Sequence, residues 1–172
     1  SAGFSSLVKV ARKELRELYG NLWLAPPAAR EAAFARLLAQ PTLAHHRALL
    51  ALHRSTRERL DAFPTLYRRL FALTGQPASL LDLSCGFNPF SWPYLGSQPT
   101  YTGTELARAD CAFLNRYFAG LRRPGHVEAM DLWRGTPTLP PADVALLFKL
   151  ADALETQRRG ATFALLASLR CR

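Results

Sequence analysis

Ser79-Leu80-Leu81-Asp82-Leu83-Ser84-Cys85-Gly86 is a short apolar run that closes on a turn residue, and it reads as the first strand of an α/β sheet. Similar runs follow it: Tyr101-Thr102-Gly103-Thr104-Glu105, residues 126–130, and Asp143-Val144-Ala145-Leu146-Leu147-Phe148. The expected strands cover residues 79–84, 100–105, 126–130 and 143–149. Residues 107–119 read as a helix between the second and third strands, and residues 156–169 as a helix after the fourth, with a weak point at Gly160. Strands that alternate with helices indicate a parallel sheet with crossovers.

Upstream of Gln76-Pro77 the texture is helical. Leu7, Val10, Ala11, Leu15 and Leu18 recur at helical spacing before Gly20. Pro26-Pro27 stands where a second helix should begin, residues 28–40 continue it, and Pro41 ends it. Residues 43–53 form a third helical stretch. Ser55-Thr56-Arg57-Glu58 fits a capping box for a fourth, whose apolar face runs from Leu60 through Leu73, with Pro64 expected to kink it. The expected division is a helical part over 1–76 and a sheet-bearing core over 77–172.

Charge separates the same two parts. Residues 1–76 hold 12 Lys+Arg against 5 Asp+Glu, and residues 77–172 hold 10 against 8. Nineteen of the 22 cations are Arg, whose planar fork suits phosphates. A basic helical half therefore points to a polyanion, most simply nucleic acid, although a coding bias toward Arg and Ala gives the same composition. At 49% hydrophobic and 20% charged residues the chain is an ordinary globular one, which excludes a disordered polyelectrolyte. No apolar run reaches the roughly 20 residues that a membrane-spanning helix needs. Three scattered cysteines, Cys85, Cys111 and Cys171, argue against a disulfide framework or zinc cluster and suit a cytoplasmic protein.

Three acids follow the strands in order: Asp82 in the first, Glu105 ending the second, Asp131 after the third. Singly, each also fits a capping or surface carboxylate. In an open parallel sheet ligands bind beyond the carboxyl ends of the strands, where the strand order reverses. Gly86 there lets a ligand approach the backbone. An acid after the second strand can accept both ribose hydroxyls, and one after the third can accept an adenine amino group. Neither GxGxxG nor GxxxxGK[ST] occurs, so no phosphate cradle accompanies this adenosine clamp. A nucleoside without phosphates points to S-adenosylmethionine rather than NAD or ATP.

Leu81-Asp82-Leu83-Ser84-Cys85-Gly86-Phe87-Asn88-Pro89-Phe90 resembles the first motif of the aminoglycoside-resistance 16S ribosomal RNA methyltransferases, which methylate N7 of a guanine in the decoding region of the 30S subunit. His53-Arg54-Ser55-Thr56-Arg57-Glu58-Arg59-Leu60 and Leu66-Tyr67-Arg68-Arg69-Leu70-Phe71 are similar to its upstream segments, and the stretches from Asp143 to Lys149 and Leu154 to Arg158 to its fourth-strand region. The resemblance covers roughly residues 43–172. It implies a Rossmann-like S-adenosylmethionine methyltransferase sheet behind a helical RNA-docking subdomain, acting as a monomer. It also implies that Gly86 faces the methionine part of the cofactor, Glu105 the ribose, Asp131 and Leu132 the adenine, and Arg59 the carboxylate. Arg12, Arg16, Arg47, Arg54, Arg57, Arg68 and Arg69 are the expected RNA contacts.

The chain departs from the family's pattern at three places. Glu105 stands where the family usually has Asp. Leu150-Ala151-Asp152-Ala153 replaces a Thr-Leu-Pro-Cys stretch. The chain ends at Arg172 where a fifth strand is expected, so the C-terminal strands are expected to be missing. These departures feed an alternative, a non-catalytic RNA- or ribosome-binding domain on a degenerate methyltransferase fold; a small-molecule methyltransferase is a third reading. N7 of guanine carries a free lone pair, so no catalytic base is expected, and no metal. Phe87, Phe90 and Trp92 offer either a stacking surface for a flipped base or core packing. His45-His46 reads as a helix-surface pair and Cys85 as a packed thiol.

Overall fold

The computed structural model describes Leu22, residues 24–132, Arg134 and residues 138–171, and the helix expected before Gly20 lies outside them. The chain divides into two compact units between Leu60 and Asp61.

In the first unit, helices α1 (Pro27–Ala39), α2 (Leu43–Leu50) and the single turn α3 (Arg54–Arg57) bury Phe34, Leu37, Leu49 and Leu50. Pro27 sits in the first turn of α1, where its missing N–H costs nothing. Thr42 caps α2 by accepting the His45 amide at 3.3 Å. The expected capping box does not form. Thr56 instead turns its hydroxyl back onto the carbonyls of Leu50 at 2.6 Å and His53 at 3.1 Å, the latter also accepting the Arg57 amide at 2.8 Å. The third helix accordingly stops at Leu50 rather than His53, and the fourth does not start at the capping box.

In the second unit, helix α4 (Phe63–Thr74) carries Pro64 in its first turn, so the proline starts the helix instead of kinking it. Its buried face is Phe63, Tyr67 and Phe71. Phe63 stacks on Tyr94 at 5.8 Å, and the Tyr67 hydroxyl lies 2.8 Å from Ser91. These contacts place α4 with the sheet-bearing unit, so the division falls earlier than the junction at residue 76. Four parallel strands follow: β1 (Ser79–Asp82), β2 (Thr100–Glu105), β3 (Gly125–Ala129) and β4 (Val144–Leu146), in the order β3-β2-β1-β4. The chain steps outward from β1 to β3 and then returns to pair β4 on the other side of β1. The order therefore reverses at β1, and a parallel sheet binds its ligand at the carboxyl end of such a strand.

Helix α5 (Arg108–Gly120) crosses from β2 to β3. The single helix expected over 156–169 is two, α6 (Leu150–Gln157) and α7 (Ala161–Ser168), because Gly160 takes φ +81° between them. Glu155 accepts the amides of Gly160 at 2.8 Å and Thr162 at 2.9 Å, and so closes the start of α7. Beyond β4, Ala142 bridges Cys171 in parallel, one more rung at the edge of the sheet.

Candidate cofactor site

The site is built where β1 gives way to the loop Leu83–Phe87. Two residues of that loop are left-handed, Ser84 at φ +55° and Gly86 at φ +50°. The turn keeps the loop pinned to the end of β2: the Ser84 amide donates to the Thr104 hydroxyl at 3.1 Å, and the Cys85 amide to the Thr104 carbonyl at 2.8 Å. Gly103 makes this approach possible, since a Cβ there would fall 2.9 Å from Val127 and 3.1 Å from the Cys85 sulfur.

Glu105 ends β2 with its carboxylate folded over this loop. Its Oε2 accepts the Gly86 amide at 3.0 Å and its Oε1 accepts the Leu106 amide at 2.8 Å. A carboxylate has about four acceptor sites, so the group can take a further donor such as a ribose hydroxyl. Burial raises the Glu105 pKa, and backbone hydrogen bonds from Leu106, Gly86 and Ala107 oppose that rise. The Met130 amide donates to the Glu105 carbonyl at 2.9 Å, which keeps the end of β3 beside the end of β2. Asp131 follows and pairs with Arg134 at 3.1 Å. Leu132 packs into the apolar cluster of Leu81, Leu83, Leu139 and Leu150.

Gly86, Glu105 and the end of β3 are therefore brought together, but Asp82 is not part of this clamp. It is 1% exposed and turned into the protein, accepting Asn88 Nδ2 at 2.6 Å and the Tyr101 hydroxyl. Both acids end their strands, but β1 pairs Asp82 with Gly103, so Glu105 stands two residues further along the sheet, over the loop, while Asp82 stays beneath it. The partners that hold Asp82 escaped the sequence reading; the signal was the polar Asn88 and Ser91 set among Phe87, Pro89, Phe90 and Trp92.

Those aromatics form core, not a stacking surface. Phe87, Phe90 and Trp92 are all buried. Phe90 meets Phe87 edge-on at 5.0 Å and Tyr117 at 4.9 Å, and Trp92 packs on Tyr101 and Phe118. Cys85 is buried as well, and burial with Asp82 and Glu105 nearby raises its pKa well above the usual thiol value, so it stays an unreactive thiol.

In the first unit, Arg59 lies on the turn after α3, its amide donating to the Thr56 carbonyl at 3.2 Å. Burial, and then the Arg59 charge, lower the His53 pKa to about 4, so this imidazole is neutral near pH 7. His46 is buried rather than on the helix surface, and both His45 and His46 place Nδ1 on backbone carbonyls, at 2.6 and 2.9 Å. Arg54, Arg57, Arg68 and Arg69 are exposed. Arg47 is half-buried and donates to the Leu60 carbonyl at 3.2 Å, so a structural tie already occupies it. Arg12 and Arg16 lie outside the described residues. Among the described residues no helix is long and apolar enough to cross a membrane.

Residues 2–172 match the ribosomal RNA methyltransferase (FmrO) family. The chain belongs to that family. One relative, from Frankia casuarinae, is a 16S rRNA (guanine(1405)-N(7))-methyltransferase, 36% identical over 70% of this chain and 43% of its own length. Another of the same description, from Micromonospora echinospora, is 32% identical over 89% of this chain and 59% of its own. The chain thus spans about half the length of these curated relatives. Among solved structures, the 16S rRNA methyltransferase RmtF in complex with S-adenosyl-L-homocysteine superposes with a TM-score of 0.80 at 33% identity, over 95% of this chain and 62% of that one. The α/β fold of the FmrO family member described here is therefore the Rossmann-like methyltransferase fold.

Proposed function

We propose that this protein binds S-adenosylmethionine at the carboxyl ends of β1 to β3 and directs its methyl group to N7 of a guanine in 16S rRNA within the 30S subunit, a modification that confers aminoglycoside resistance. The observation that carries the reading is the Glu105 carboxylate, fixed over the Gly86 loop with lone pairs to spare. The curated relatives and the methyltransferase solved with the demethylated cofactor support it.

The residues at the loop fit the cofactor. Glu105 would hold the ribose hydroxyls, Gly86 would border the methionine chain, and Asp131 and Leu132 would border the adenine. Arg59 would meet the cofactor carboxylate, which a bidentate cation suits. Once bound, the cofactor supplies an electrophilic methyl group on a sulfonium. Guanine N7 brings its own lone pair, so the protein needs no general base; its contribution is alignment and exclusion of water. Exposed Arg54, Arg57, Arg68 and Arg69 would hold the RNA by its phosphates.

Titration calorimetry of the full chain with S-adenosylhomocysteine tests the cofactor half. Saturable heat that Glu105→Ala weakens at least tenfold is expected. Absence of heat would favour the non-catalytic RNA-binding reading.

A further inference from the structure

Five buried polar side chains of the second unit form one hydrogen-bonded chain beneath the cofactor loop. Asp82, Asn88 and Ser91 are each 1% exposed, Tyr67 is fully buried and Tyr101 nearly so. They come from different elements: Tyr67 from α4, Asp82 from β1, Tyr101 from β2, and Asn88 and Ser91 from the 3-10 helix Asn88–Tyr94 that follows the loop.

Around Asp82 the direction of each bond is set by chemistry. The Asp82 carboxylate only accepts. Asn88 must therefore turn its NH2 toward it, at 2.6 Å, and Tyr101 its hydroxyl hydrogen. The second hydrogen of that NH2 reaches the Tyr67 oxygen at 3.1 Å. The Tyr67 hydroxyl also lies 2.8 Å from the Ser91 hydroxyl, where either can donate, and 3.4 Å from Asn88 Oδ1. Asn88 is the centre, and its backbone N–H donates to the Cys85 carbonyl at 2.9 Å, one residue before Gly86.

We infer that Tyr67 and Asn88 are positioning residues for cofactor binding: they lock the left-handed Gly86 loop so that its amide meets the Glu105 carboxylate. The inference rests on the methyltransferase reading. Ser84, two residues before Gly86, holds a left-handed conformation that is sparsely populated for a non-glycine residue and persists only when its surroundings over-determine it. The buried network does so from below, as the Thr104 and Glu105 bonds do from the side. Asn88 gives one hydrogen to a carboxylate and another to a tyrosine at once. α4 thereby shapes the site without touching the cofactor.

Calorimetry with S-adenosylhomocysteine on the full chain tests this well below the melting temperature, so that every variant is folded. Tyr67→Phe is the deciding variant, because its ring stays stacked between Phe63 and Phe71, at 5.9 and 5.7 Å. Tyr67→Phe and Asn88→Ala should weaken binding about fivefold or more, whereas Leu37→Ala, a core truncation in α1, should bind as the wild type does. Amide exchange at Gly86, read without any cofactor, should quicken in Tyr67→Phe and not in Leu37→Ala. Wild-type affinity together with wild-type Gly86 exchange in Tyr67→Phe would overturn the inference and leave the methyltransferase reading intact. A wild-type chain that gives no heat would instead overturn that reading, and the inference with it.

Discussion

The central side chain is Glu105. Charge-assisted hydrogen bonds are each worth roughly 1.5–3 kcal/mol, so losing two ribose bonds in Glu105→Ala should cost at least tenfold in cofactor affinity, measured by calorimetry. Its pH behaviour follows from burial. Raised above the usual glutamate value, Glu105 binds its proton more tightly folded than unfolded. Between the two values, folded stability therefore falls as pH rises. The ribose needs the ionised acceptor, so cofactor affinity should fall as pH drops through the raised value. Glu105→Gln should flatten both trends, in melting scans and in calorimetry across pH 5–8. The acids at residues 82, 105 and 131 were legible in the sequence as a set. Their different fates were not, because Asp82 and Glu105 both end strands and only the register, which pairs Asp82 with Gly103, sets Glu105 two residues further out.

At the scale of elements, the alternation of strands and helices was readable because a buried parallel strand is a short apolar run that ends in turn residues. Boundaries were less so. The Pro64 helix start depends on which backbone groups are free at an end, and the pattern of apolar residues does not encode that; Gly160 was legible as a weak point, but not as a full break between two helices. The aromatics after Gly86 were equally ambiguous, since stacking surface and core look alike in sequence. Their burial yields a direct consequence: Phe90→Ala should destabilise the fold by about 3–5 kcal/mol in denaturant unfolding. A loss under 1 kcal/mol would mean that the ring is not core. On α4 the buried and exposed faces separate cleanly, with Tyr67 inward and Arg68 and Arg69 outward. Reversing the charge of Arg68 and Arg69 together should lower 30S affinity in filter binding and leave calorimetric cofactor binding unchanged. Equal subunit binding by this double variant would remove α4 from the RNA surface.

For the whole molecule, a net charge of +9 concentrated in the helical half implies binding that weakens steeply as salt rises, because each phosphate contact releases counterions. A flat salt dependence of 30S binding would make the basic composition incidental. RNA recognition by arginines on helices reads shape rather than base sequence, so the assembled subunit should be a far better substrate than a short oligonucleotide. The most direct measurement is to incubate the full chain with 30S subunits and methyl-labelled S-adenosylmethionine, then map the label in the RNA. The expected result is one labelled guanine in 16S rRNA, modified at N7 and lost with Glu105→Ala. Intact cofactor binding with no label on the RNA, or label on another atom or base, would contradict the account.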